Sequence, residues 1–144
     1  MEQNLFADII DNIKGTYIAP SGVHGMGLFA SEEMAQGICL GELDGQVMPW
    51  ALFDKISGKM QGETFQEAFF MEWNALSKDT LLTRPFRTKY SFINHNRIPN
   101  LCLKTEPLRV LTLQKISAHE ELFLDYRKED LSDAYLQGHG KTYL

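Results

Sequence analysis

Cysteine is scarce in this chain, long apolar runs are missing, and basic residues are outnumbered. Each shortage excludes something. Two cysteines, Cys39 and Cys102, among 144 residues cannot build a disulfide scaffold or a four-cysteine zinc site. They fit a reducing compartment as small buried apolar groups, with a single disulfide or a catalytic thiol as alternatives. No apolar run approaches the roughly 20 residues of a membrane helix, so no membrane partner is expected. The N-terminal stretch carries Glu2, Asp8 and Asp11 among periodic apolar residues. That is neither a signal peptide nor a transit peptide, and the expected location is cytoplasmic or otherwise intracellular. Lys and Arg number 14 against 19 Asp and Glu, a formal net charge of −5. DNA-binding domains are usually basic, so no direct nucleic-acid contact is expected. A basic partner suits the sign better.

What is present reads as one globular domain over residues 1–144. Hydrophobic residues make up 44% and charged residues 23%, ordinary for a soluble fold. Leu5, Phe6, Ile9, Ile10 and Ile13 recur at helical spacing, which predicts a helix over 3–14 ended by Gly15. Such a helix would pack on the domain or serve as a homodimer contact. Strands are expected at Thr16–Ala19, Leu28–Ala30, Ile38–Leu40 and Leu43–Met48. Pro49 could open a helix running to about Met60. Further strands are expected around Phe69–Trp73, Val110–Leu113 and Leu122–Tyr126, a helical turn over Pro85–Phe92, and a short helix over Asp130–Leu136. Many short strands with few long helices indicate a β-rich α+β fold.

Four segments stand out. Ser21-Gly22-Val23-His24-Gly25-Met26-Gly27-Leu28-Phe29-Ala30 holds three glycines in six residues, which permits positive φ and close backbone approach to a ligand. Its spacing is not that of a phosphate loop, and no GK[ST] follows it. Glu42-Leu43-Asp44-Gly45-Gln46-Val47 reads as a strand with a glycine bulge. Asn94 and His95 enter an apolar stretch before Pro99-Asn100, and polar groups there need partners. Glu120-Glu121-Leu122-Phe123-Leu124-Asp125-Tyr126 ends a strand on an aspartate and a tyrosine.

In order and spacing these segments resemble the SET-domain protein lysine methyltransferases. Gly25–Ala30 resembles the family's GxGLFA segment and Glu42–Val47 its EYxGE segment. Phe92-Ile93-Asn94-His95-x-x-x-Pro99-Asn100 resembles RFINHSCxPN, and Glu120–Tyr126 resembles EELTFDY. The likeness spans residues 16–126, and its compactness is similar to bare bacterial or viral members. It implies small curved β-sheets with short helices and a knot-like C-terminal crossing that brings Asn94, His95 and Tyr126 together. The layout would be an N-terminal helix (1–15), N-terminal strands (16–48), a variable insert (49–85), a C-terminal core (86–126) and a tail (127–144). The implied donor is S-adenosyl-L-methionine, converted to S-adenosyl-L-homocysteine, with no metal. His24, Met26, Gly27, Asn94, His95 and Tyr126 are the implied cofactor contacts. Tyr126 is the implied catalytic residue, its hydroxyl orienting a neutral lysine amine for in-line attack. The imidazole of His95 would hydrogen-bond within the knot, and Asp125 would hold backbone amides.

Departures from the family pattern matter. Leu43 replaces the tyrosine of EYxGE, and Leu124 stands two places before the final tyrosine, where it offers no hydroxyl. Ser91, Asn96 and Arg97 replace the Arg, Ser and Cys of RFINHSC. The zinc-binding closing segment of many members is absent. The tail would then complete the lysine channel, with Tyr135 or Tyr143 as an aromatic wall beside Leu43 and Leu124. Phe65, Phe69, Phe70 and Trp73 of the insert read mostly as core. The implied partner is a protein presenting an accessible, basic lysine segment, which the negative net charge suits. The alternative is a catalytically weak module that binds such a segment.

Overall fold

The computed structural model of the chain describes residues 9–59 and 72–129, without the side chains of residues 57–59. Described residues within Met1–Leu43 and Arg87–Asp125 form one compact unit. Those within Asp44–Phe86 and Tyr126–Leu144 form another. The fold is β-rich α+β, with ten short strands, one α-helix and two 3-10 turns among the described residues.

The first unit begins with a hairpin of β1 (Thr16–Pro20) and β2 (Met26–Ala30), antiparallel with Ile18 opposite Leu28. Next, β3 (Cys39–Glu42), β8 (Leu101–Lys104) and β9 (Arg109–Thr112) make a sheet in the order β3-β9-β8. Finally β7 (Asn94–His95) pairs in parallel with β10 (Phe123–Leu124). Leu28, Ile93, Leu101, Val110, Ile116 and Leu122 are fully buried and form the centre of this unit.

The second unit is the sheet β4-β6-β5, made of β4 (Gln46–Pro49), β5 (Glu72–Ala75) and β6 (Thr80–Arg84), plus helix α1 (Trp50–Lys59). Pro49 closes β4, and α1 starts one residue later than its proline suggested, with Trp50 N–H donating to Asp79 O at 2.9 Å. Trp50, Phe53 and Trp73 pack edge to face or tilted, with ring centroids 5.2 to 6.0 Å apart. That is the geometry ring quadrupoles favour, and Trp73, expected in the core, is half-buried and packs against the core of Trp50, Ala75 and Leu81. Phe65, Phe69 and Phe70 lie outside the described residues. Among the described residues no helix is long and apolar enough to cross a membrane.

Three expectations need correction. The helix over 3–14 does not exist over its described part: residues 9–14 are irregular. A bulge in β3 between Cys39 and Gly41 turns the Leu40 carbonyl out to accept from Lys14 N–H at 2.9 Å. Gly41 lets that stretch lie flat, since a Cβ there would sit 2.0 Å from the Asn12 carbonyl oxygen. Ile13 is fully buried, while Ile10 is exposed and bridges to Thr88. Tertiary pairing thus replaces local helix formation. The strand over Leu122–Tyr126 shortens to β10, because Tyr126 opens the 3-10 turn Tyr126–Lys128. The cysteines are not buried: Cys39 is exposed and Cys102 half-buried. Both stand opposite Leu111, on either side of β9. Two strand spacings put them about 9–10 Å apart, beyond the ~7 Å that a disulfide spans.

Strand β8 was not legible after the Pro99-Asn100 turn signal. Within Pro85–Phe92 only Lys89–Phe92 is helical, a 3-10 turn that starts where buried Thr88 accepts from Tyr90 N–H. The helix over Asp130–Leu136 lies outside the described residues.

Candidate functional site

The site grows from the edge of β2 that faces away from β1. Ser21 N–H donates to Gly25 O at 2.8 Å and closes the β1–β2 turn. Hydrogen-bonded pairs alternate along an antiparallel ladder, so at the next pair, Pro20 and Met26, the backbone groups point away from the partner. Pro20 is tolerated for that reason. The same alternation turns the Met26, Leu28 and Ala30 carbonyls outward. Leu122 N–H donates to Leu28 O at 2.8 Å and His119 N–H to Ala30 O at 2.7 Å. The Asn94 side chain takes the remaining carbonyl: Nδ2 donates to Met26 O at 3.2 Å and to His24 O at 3.0 Å. One amide therefore binds the glycine-rich turn to the Asn-His segment across some 70 residues of chain.

Asn94 and His95 are held in turn by the last segment. They lie opposite Phe123 and Leu124 in the parallel pairing, and Asn96 N–H donates to Leu124 O at 3.0 Å. Buried Asn100 clamps the same strand, donating from Nδ2 to Glu121 O and accepting from Phe123 N–H, both at 2.8 Å. The imidazole of His95 faces buried Asp125, with Nδ1 3.9 Å from Oδ1. That is too long for a hydrogen bond and becomes an ion pair only when His95 is protonated.

Two side chains at this edge carry roles that sequence reasoning did not give them. Glu121 is half-buried and accepts from Ser21 Oγ–H at 2.9 Å through Oε2, which also lies 3.5 Å from Asn94 Nδ2. A Cβ on Gly27 would sit 2.9 Å from the Glu121 carboxyl carbon, so the second glycine makes room for a carboxylate. Gly25 is the glycine of this turn with positive φ, +50°. The signal for Glu121 was in the motif, but its partner Ser21 is 100 residues away.

Of the sequence-derived site residues, the structure brings together the backbone of His24 and Met26, with Gly27, Asn94 and His95. The ring of exposed His24 plays no part in these bonds; its carbonyl does. Leu43 is buried, its N–H donating to Leu108 O at 2.9 Å, and Leu124 is buried in β10. Tyr126 is half-buried and follows Asp125 directly in the chain. Tyr135 and Tyr143 lie outside the described residues.

The chemistry of the edge is that of an acceptor set. With Nδ2 committed, Asn94 Oδ1 is the acceptor left on that amide. Glu121 Oε1 lies beside Gly27, while Oε2 takes the Ser21 proton. Such a set complements a ligand carrying N–H donors and positive charge. Among the described residues no three His, Cys, Asp or Glu side chains converge to hold a metal ion.

A family model described as SET domain matches residues 25–127, more than half of the chain. No curated protein matches the chain.

Proposed function

Because the chain belongs to the SET-domain family, we propose that it is a methyltransferase that uses S-adenosyl-L-methionine on the side-chain amine of a protein lysine. The observation that carries this reading is the Asn94 amide bound to the His24 and Met26 carbonyls. It joins the glycine segment to the Asn-His segment at an edge of acceptors. The cofactor's amino-acid end carries an ammonium beside its carboxylate, and its sulfur a positive charge; the acceptor set fits the ammonium and the sulfonium.

When bound, the cofactor supplies an electrophilic methyl group on a sulfonium. The residues of the chain do the rest. Asn94 and the outward-facing main chain at Met26 would hold the amino-acid end, with Gly27 adding no side chain there, and the main chain of His95 would hold the adenine. Leu43 and Leu124 contribute apolar, hydroxyl-free walls. An apolar channel disfavours an ammonium and so favours the neutral, nucleophilic amine. The Tyr126 hydroxyl orients that amine and places a dipole at the reacting centre. The substrate is a protein segment rich in lysine, attracted by the net charge of −5.

The test has two readings. S-adenosyl-L-methionine and S-adenosyl-L-homocysteine should each raise the melting temperature, by an amount that keeps growing with the logarithm of ligand concentration above Kd. Labelled methyl from the former should appear on lysine in a lysate, located by mass spectrometry. Absence of any shift at millimolar cofactor overturns the reading. A shift without transfer selects the weakly catalytic binding module instead.

A further inference from the structure

We propose that Glu121 is a positioning residue for the cofactor: its carboxylate holds the Ser21–Gly27 turn and the Asn94 amide in one arrangement. This rests on the methyltransferase reading above.

The bonds run in a single direction. Ser21 Oγ accepts from the Val23 and His24 backbone N–H groups at 3.0 and 3.2 Å. A hydroxyl has one proton to give, and Ser21 gives it to Glu121 Oε2 at 2.9 Å. The same carboxylate oxygen stands 3.5 Å from Asn94 Nδ2. Glu121 therefore touches both parts of the acceptor edge, the turn through Ser21 and the amide directly. Hydrogen bonds to a carboxylate are stronger than neutral ones, and partial burial keeps this one from being fully screened.

The consequence is a fixed amide. Nδ2 faces two carbonyl oxygens and a carboxylate. A flipped amide would set Oδ1 against three acceptors, so Oδ1 stays the group offered to a ligand donor. Without Glu121 the turn keeps its backbone bond from Ser21 to Gly25 but loses its tie to the last segment. Gly27 belongs to the same device, because a methyl there would displace the carboxylate rather than any backbone.

Calorimetry of S-adenosyl-L-homocysteine binding tests the assignment. Glu121→Ala should weaken binding about tenfold or more, the size expected for losing a charge-assisted hydrogen bond. In turnover it should raise the cofactor KM more than it lowers kcat. Glu121→Gln keeps an oxygen for Ser21 and should recover most of the affinity. Ser21→Ala, a small change in an exposed turn, should reproduce the loss even if Glu121→Ala does not fold. The double variant should bind no worse than the weaker single one, since both cut one link. Without any ligand, amide exchange at Val23 and His24 should quicken in Glu121→Ala and not in Glu121→Gln. Full affinity in Glu121→Ala, or losses that add completely, overturns the proposal alone. A wild type that binds neither cofactor form overturns the methyltransferase reading as well.

Discussion

Single residues divide here into those whose role their type announces and those whose role their neighbours confer. Tyr126, the tyrosine that closes the Glu-Glu-Leu segment, is proposed as one of the first kind. Tyr126→Phe should lower turnover on the order of 100-fold, the cost typical of removing one oriented donor. Calorimetric affinity for S-adenosyl-L-homocysteine should stay near that of the wild type. Unchanged turnover would remove the tyrosine from the mechanism. Glu121 and Ser21 are of the second kind. Nothing in a serine at the head of a turn says that its proton goes to a carboxylate 100 residues away. Gly27 is the one local trace, and its reason for being small becomes visible only beside Glu121.

Strands and turns were readable where a pattern was local. β1, β2, β3, β4 and β9 fall close to their apolar runs, and α1 starts beside Pro49. Two-residue strands such as β7 and β10 carry no period to detect; they exist because each supplies the other's partner. Asn100 holds that pairing. It bonds the backbone on both sides of Leu122, at Glu121 O and Phe123 N, and its own carbonyl accepts from Leu113 N–H at 2.9 Å. Asn100→Ala leaves two backbone groups without their partner at a buried position. Each such loss costs about 1–3 kcal/mol, so denaturant unfolding should show about 2–6 kcal/mol less stability, and cofactor affinity should fall with it. A loss under about 0.5 kcal/mol, the level of an ordinary surface change, would show that the clamp is dispensable. The helix expected over 3–14, missing from its described residues 9–14, belongs at this scale too. Its apolar period was real, but the Leu40 carbonyl and the space over Gly41 won the Lys14 and Asn12 backbone.

At the scale of the molecule the two units are stabilised by different means. The first rests on aliphatic residues, with Leu28, Ile93, Leu101, Ile116 and Leu122 fully buried. The second holds both tryptophans of the chain, Trp50 and Trp73, and a buried polar network. There Arg84 donates from Nε to Glu72, from Nη2 to Asn74 Oδ1 at 2.6 Å and from Nη1 to Asp44 O at 2.9 Å. All three side chains are almost wholly buried. Arg84→Met takes the Arg84 guanidinium away from the buried Glu72 carboxylate, and losing one member of a buried pair costs about 3–5 kcal/mol. Tryptophan emission reports this unit, so its denaturant midpoint should drop sharply in Arg84→Met. Adding Glu72→Leu should restore part of the loss, because an apolar replacement of the whole pair is often tolerated. An unmoved midpoint in the single variant would mean that the network contributes nothing net.

By itself the sequence determined the strand-rich class, the order of the motif segments and the side chains placed within them. These depend on local period, on turn residues and on side-chain identity, all of which are written along the chain. The tertiary structure alone decided which of those residues meet. Asn94 reaches His24 and Met26 across about 70 residues, and Glu121 reaches Ser21 across 100. Such contacts depend on which edge of β2 faces away from β1 and on how much room Gly27 leaves, and neither is a property of any short stretch of sequence.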